Sequence, residues 1–309
     1  MSVARALRVE HTPARPGPGP LPEALLRALD LQIGRKMQGL LAGDYRSSFL
    51  GSGTELAQVR PYQPGDDVRR IDWNVTARTG EPHVRIYMAE RVLATWLVLD
   101  TSASMQFGTA ERRKADVAEG VAIAIGHVAT RRGNRLGVVT FGDGEPRILP
   151  PRPGRVGLLG LLAQLRGEAG GVRAGATSLG DALAHTAAVA QQHGLVVIAS
   201  DFRGPLDWRR PMLQLAAQHD VLAVEIRDPR EQELPAAGEL WLVDPETGRQ
   251  LRVDTRDRRL RKRFAEAAEE ERSGLARMLA GLGVRHVVLS TEGEWLRMLA
   301  AFLKRAHRQ

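Results

Sequence analysis

Four short, mostly apolar runs stand out in the second two-thirds of the chain: Thr95–Leu99, Leu136–Phe141, Leu195–Ala199 and Val221–Ile226. Apolar runs of this kind are what strands buried on both faces show. Between the runs, apolar positions recur at helical spacing. Val117, Val121, Ile125 and Val128 mark a helix over about Glu111–Thr130, and further helices are expected at Val156–Arg166 and Leu179–Gln192. Pro146–Leu149 is expected to pair with the second strand as a hairpin. Glu239–Val253 reads as another hairpin turning at Pro245–Gly248. A long charged helix, a strand at Val284–Leu289 and a helix at Glu294–Ala306 close the pattern. Strand–helix alternation of this length predicts an α/β fold, a mostly parallel, doubly wound, Rossmann-like sheet with helices on both faces.

Upstream the pattern changes twice. Pro13–Pro22 alternates proline with glycine and is expected to be a flexible lead-in. Leu25, Leu26, Leu29, Ile33, Met37, Leu40 and Leu41 form one stripe of a helix over about Glu23–Leu41. From Gly43 to Val92, short alternating pieces such as Val84–Tyr87 are broken by Gly51, Gly53, Pro61, Pro64, Gly65 and Pro82, which reads as strands and turns. The expected organisation is therefore a lead-in (1–22), a helix plus a small β-rich module (23–92), and an α/β domain (93–309) with a hairpin insertion near 239–253.

Composition narrows the chemistry. The 309 residues include no cysteine, which excludes disulfide scaffolds, zinc fingers, iron–sulfur centres and thiol catalysis. No run approaches the roughly 20 apolar residues of a membrane span, and the N-terminus has Arg5 and Arg8 in place of an apolar signal core. A cytoplasmic location without a membrane span is expected. The net charge is 44 − 36 = +8, almost entirely arginine on the positive side. The densest basic stretch, Arg256–Arg263, is followed by Glu266, Glu269, Glu270 and Glu271, which at helical spacing reads as a solvated face. It has no interleaved aromatics to stack on bases, so nucleic acid is the minority reading.

In an open parallel sheet, ligands gather at the carboxyl ends of strands where strand order reverses. After the first buried run comes Asp100-Thr101-Ser102-Ala103-Ser104, and after the third comes Ser200-Asp201-Phe202. Between them, Gly175-Ala176-Thr177-Ser178-Leu179-Gly180-Asp181 leads into a helix. Two carboxylates with several hydroxyls suit a hard divalent cation, and neutral hydroxyl ligands would leave it electrophilic towards an outside carboxylate. The bland alternative is that these are ordinary turn and cap residues, and Ser178 with Asp181 does resemble a capping box. His127, His185 and His193 have no partner at metal-ligand spacing. There is no phosphate-binding loop with its lysine and no G-x-S-x-G elbow.

Asp100-x-Ser102-x-Ser104, then Thr177, then Asp201 resembles the metal-ion-dependent adhesion site of von Willebrand factor A domains. The resemblance implies metal ligation by Asp100, Ser102, Ser104, Thr177 and Asp201, directly or through water. The third loop departs from the family's usual Asp-Gly, having Phe202 after the aspartate. Upstream, Gly51-x-Gly53-x-Glu55, Arg60-Pro61-Tyr62-Gln63-Pro64-Gly65-Asp66-Asp67-Val68-Arg69-Arg70-Ile71-Asp72-Trp73 and Ala77-Arg78 resemble the signature of the bacterial family called domain of unknown function 58. For Arg60–Trp73 two readings stand open: a hydrogen-bonded turn that locks the module, or a docking surface.

What the resemblance implies is a non-catalytic, Mg2+-dependent protein-interaction subunit (Mn2+ or Ca2+ as alternatives). Its implied partners are a MoxR-type AAA+ ATPase or a protein donating an acidic side chain to the metal. The first rival is a metal-dependent hydrolase or phosphatase, which lacks a general base in the sequence pattern. The second is a nucleic-acid-binding protein driven by arginine charge.

Overall fold

The structure is a computed structural model that describes residues 14–27, 29, 55–88, 94–131, 134–142, 146–168, 178–244 and 248–305. The chain divides into two compact units, residues 36–92 on one hand and residues 1–35 with 93–309 on the other.

In the smaller unit, β1 (Glu55–Pro61) pairs antiparallel with β2 (His83–Met88). Between them lies a turn in which Gly65 takes a positive φ, a 3-10 turn at Val68–Arg70, and α1 (Trp73–Thr79). The sequence pattern predicts only strands and turns here. The helix forms because Asp72 caps its first turn, accepting from the Asn74 and Val75 backbone N–H groups, while Gly80 ends it in the left-handed conformation. The charged segment is satisfied within its own unit. Arg60 donates to both Asp66 oxygens at 2.8 Å, and Arg85 Nε donates to Asp72 Oδ2 at 2.9 Å. These donors hold the Asp66 and Asp72 carboxyls below the usual carboxylate range.

In the larger unit, the main sheet contains β3 (Ala94–Asp100), β4 (Arg135–Phe141), β5 (Arg147–Pro153), β6 (Gly194–Ser200), β7 (Asp220–Arg227) and β10 (Arg285–Ser290). Its spatial order is β10-β7-β6-β3-β4-β5, parallel throughout except for the antiparallel edge strand β5. This is the mostly parallel, doubly wound sheet that the pattern predicts. The chain leaves β3 for β4 on one side and later enters β6 on the other, so the order reverses between β3 and β6. Both strands are buried at all seven positions.

One sheet face presents Trp96, Val98, Val139, Val196 and Ile198 to α4 (Leu179–Val189), α5 (Arg209–Gln218) and α6 (Arg258–Gly281), through Leu183, Met212, Leu215 and Leu279. By the two-residue period of a strand, Leu97, Leu99 and Val197 face the opposite way, towards α2 (Lys114–Arg131), which pairs with α3 (Gly154–Glu168). The remaining pieces are the hairpin β8 (Glu239–Val243) and β9 (Gln250–Asp254), and α7 (Trp295–Arg305).

Helix α5 has no counterpart in the sequence reading. Its first turn holds Arg209, Arg210 and Pro211, a run that looks like a loop, and it buries only Met212 and Leu215. A crossover is nevertheless required between the parallel strands β6 and β7. The lead-in also differs from the expected flexible tail over its described part. Arg15 N donates to the Glu111 carbonyl at 2.7 Å, and the Trp295 indole donates to the Pro18 carbonyl at 3.0 Å. Of the helix expected over 23–41, residues 23–27 are helical, and residues 30–41 lie outside the described residues. No helix among the described residues is long and apolar enough to cross a membrane.

Candidate metal centre

Strand β3 ends on Asp100, and the loop after it is held by Thr101, whose N–H and hydroxyl both donate to the Phe141 carbonyl at 2.8 Å. Gly142, one residue beyond β4, lets this loop come close. Its φ is 119°, and a Cβ there would stand 2.3 Å from the Ser102 nitrogen. Ser102 occupies the N-cap position of the 3-10 turn Ala103–Gln106, yet its side chain makes no capping bond. Its hydroxyl donates to Asp100 Oδ1 at 2.6 Å, and the Ser102 N–H donates to the same oxygen at 3.0 Å. The Ser102 and Ser104 hydroxyls lie 3.0 Å apart. Asp100, Ser102 and Ser104 thus converge.

Across the switch point, Ser200 at the end of β6 donates its hydroxyl to Asp100 Oδ2 at 2.5 Å and accepts from the Phe202 N–H at 2.9 Å. Asp201 is buried next to it. Phe202 has φ 55°, the left-handed conformation that glycine adopts freely. Its ring is buried edge-on against Trp208, with centroids 5.9 Å apart.

Asp201 does not stand open. Its Oδ1 accepts from the Arg203 N–H at 3.0 Å, and its Oδ2 accepts from Lys114 Nζ at 2.6 Å. Lys114 is fully buried at the start of α2 and also donates to Glu231 Oε1 at 2.8 Å. Thr177 lies outside the described residues, whereas Ser178 next to it is an ordinary N-cap that accepts from the Asp181 N–H at 3.0 Å. Asp181 is exposed on α4.

Burial, and then the negative charge of Asp201, push the Asp100 carboxyl up to about 6 despite its donors Ser102 and Ser200. Burial and the neighbouring carboxylate thus disfavour the charged form of Asp100 even with Lys114 beside Asp201. Two carboxylates and a row of hydroxyls, without sulfur or imidazole, form a donor set that fits a hard cation. Among the described residues no three His, Cys, Asp or Glu side chains gather as a metal cluster, so a cation here would lean on hydroxyls.

Sequence reasoning missed Ser200, Lys114 and Glu231. Ser200 could have been found as a hydroxyl at the end of a buried strand facing Asp100. Lys114 sits in Arg112-Arg113-Lys114, which looks like a solvated basic run.

Comparison with known proteins matches residues 58–274 to the family described as protein of unknown function DUF58. The chain belongs to the DUF58 family. The matched stretch of this DUF58 chain contains Asp100, Ser102, Ser104, Lys114 and Asp201. The chain is 42% identical over 283 residues to the uncharacterized protein Rv1480 of Mycobacterium tuberculosis, covering 91% of this chain and 88% of that protein. It is also 42% identical over 118 residues to the uncharacterized protein MAV169 of Mycobacterium avium, 38% of this chain and 69% of that one. Among solved structures, BatB from Bacteroides thetaiotaomicron overlays with a TM-score of 0.42 at 11% identity, over 70% of this chain and 100% of that one. The von Willebrand A domain of SpRpn10 gives 0.36 at 15% identity, over 70% and 95%. The α/β fold of the DUF58 chain rests on its own strand order and its antiparallel edge strand.

Proposed function

We propose that this DUF58 protein is a non-catalytic interaction subunit. Its Asp100 site holds a divalent cation, Mg2+ first, with Mn2+ or Ca2+ as alternatives, and a partner supplies an acidic side chain. The partner favoured by the family resemblance is a MoxR-type AAA+ ATPase. One observation carries the reading: the Ser102 hydroxyl, placed where it could cap a helical turn, is turned instead onto Asp100, with Ser104 beside it. That argues against a plain cap role for Ser102. On this reading Asp100, Ser102, Ser104 and Asp201 hold the ion, with Thr177 as the further ligand that the resemblance implies. When bound, the ion supplies an electrophilic position for an outside carboxylate.

The test is Mg2+ titration by calorimetry on wild type and Asp100→Ala, paired with binding of a purified MoxR-type ATPase in Mg2+ and in EDTA. The expected result is Mg2+ uptake by wild type only, and ATPase binding lost both in EDTA and in the variant. Equal ATPase binding in EDTA would remove the metal bridge from the mechanism. Mg2+-dependent turnover of a phosphate ester, lost in Asp100→Ala, would replace the interaction reading with the hydrolase.

A further inference from the structure

A fully buried lysine is costly unless its charge is met, because an ammonium loses its hydration and gains only what its neighbours supply. Lys114 meets that cost with two carboxylates, Asp201 at 2.6 Å and Glu231 at 2.8 Å, and with the Phe107 ring, whose centroid is 5.9 Å from Nζ. Its position is fixed from both ends. The Lys114 N–H donates to the Phe107 carbonyl at 2.9 Å, and Glu231 is itself held by accepting from the Asp228 N–H at 3.1 Å. The ammonium is therefore an anchored part of the site, seated on the carboxylate that the second half of the metal site requires.

From this geometry we infer that Lys114 is a tethered cation that competes with the divalent ion for Asp201. The inference rests on the reading of the Asp100 site as a cation site and deepens it. Asp201 Oδ2 already accepts from the ammonium and Oδ1 from the Arg203 N–H, so an ion drawing on Asp201 must share an oxygen with Lys114 or displace it. Sharing sets two cations against each other within a buried space, where their repulsion is weakly screened. Lys114 thus lowers the affinity of the site for metal while keeping it folded without metal. Glu231 sets the balance, because it is the second carboxylate to which the ammonium is bound. Losing Asp201 to the ion leaves Lys114 a partner, so the chain has two charge-balanced arrangements of one cluster.

The experiment uses the full chain in three forms: wild type, Lys114→Met and Glu231→Gln. Mg2+ affinity is read by calorimetry, and thermal unfolding is followed in EDTA and in millimolar MgCl2. Lys114→Met is expected to bind Mg2+ on the order of tenfold more tightly than wild type. It should melt earlier in EDTA and recover in MgCl2, since the Asp201 and Glu231 carboxylates then lack their cation. Glu231→Gln should move affinity the other way, because the ammonium is left with Asp201 alone. Should Lys114→Met not fold in EDTA, the double variant Lys114→Met/Glu231→Gln removes one charge of each sign and keeps the affinity measurement available. A folded Lys114→Met that binds Mg2+ no more tightly than a wild type that does bind overturns the inference and leaves the metal site standing. Binding by Lys114→Met where wild type shows none supports the inference and shows that lysine suppresses the site. Folded variants and wild type that all fail to bind Mg2+ remove the metal reading, and the inference falls with it.

Discussion

Two aspartates end parallel strands of the same sheet, both buried and both ringed by hydroxyls, yet their charges are treated in opposite ways. Asp228, directly after β7, accepts from Thr109 N at 2.7 Å, Thr109 Oγ1 at 2.5 Å, Thr291 Oγ1 at 2.7 Å and Arg230 N at 2.9 Å. Burial alone would raise its carboxyl, but these donors outweigh it and hold the group below the ordinary range. Asp100 accepts from Ser102 N, Ser102 Oγ and Ser200 Oγ, and is pushed up to about 6 by burial and by Asp201. Hydroxyls are present at both places, so they do not make the difference. What differs is a second backbone N–H at Asp228 and a neighbouring carboxylate at Asp100. Asp228 is a finished joint between β7, the loop before α2 and the segment after β10. Asp100 is a charge left in deficit, which is how a binding site differs from a strut.

The largest effect is therefore expected at the strut. Asp228→Ala strips the acceptor from the half-buried Thr109 hydroxyl, the buried Thr291 hydroxyl and two backbone N–H groups, and should cost about 3–4 kcal/mol, read from denaturant midpoints. A loss under about 1 kcal/mol would mean that the joint carries little, and the contrast with Asp100 would collapse. The turns themselves differ too. After β7 the chain enters an ordinary capped 3-10 turn, whereas after β6 it passes through Phe202 in a left-handed conformation. Phe202→Gly relieves about 1 kcal/mol of backbone strain but loses a buried ring worth about 3–5 kcal/mol, so a net loss is expected. Mg2+ binding should survive it, because the loop keeps its shape. Stabilisation by this substitution would show that strain, not the packing on Trp208, dominates the turn.

The strands were legible because β3, β6 and β7 are apolar on both faces, a pattern that a surface element does not produce. Helix α5 was not, since Pro211 and two arginines occupy its first turn and only Met212 and Leu215 face the core. Helix α1 was hidden for another reason: its stability comes from Asp72 and Gly80 at its ends, not from a stripe. The triplet at Asp100 was visible as a cluster because its members are neighbours in sequence, and Asp201 because it follows a buried strand. By the same rule Asp228 follows β7, so the sequence held a signal for it. Lys114 carried none. One of four lysines among 44 cations, it sits in a basic run, and only the direction in which α2 begins sends it inward while its neighbours Arg113 and Asp116 reach solvent. A side chain whose meaning depends on partners 87 and 117 residues away has no local pattern to betray it.

The smallest effect tests the deficit at Asp100 directly, through Asp100→Asn in EDTA. The folded value of about 6 lies above the ordinary aspartate value of 3.8, so between about pH 4 and pH 6 the folded chain holds a proton that the unfolded chain has released. Stability contributed by the protonated group is thus complete below about pH 4, falls as pH rises to about 6, and stays low above it. Asparagine cannot ionise and still accepts from Ser102. The variant should therefore be more stable than wild type by about 1–2 kcal/mol near neutral pH, the gain fading towards pH 4. Asp228→Asn should do the reverse near neutral pH, since it discards a charge that its donors favour. Urea midpoints of both variants across this range would separate the two aspartates. Were Asp100→Asn no more stable than wild type at neutral pH, Lys114 would already balance the site, and the electrostatic case for a divalent cation would lose its support.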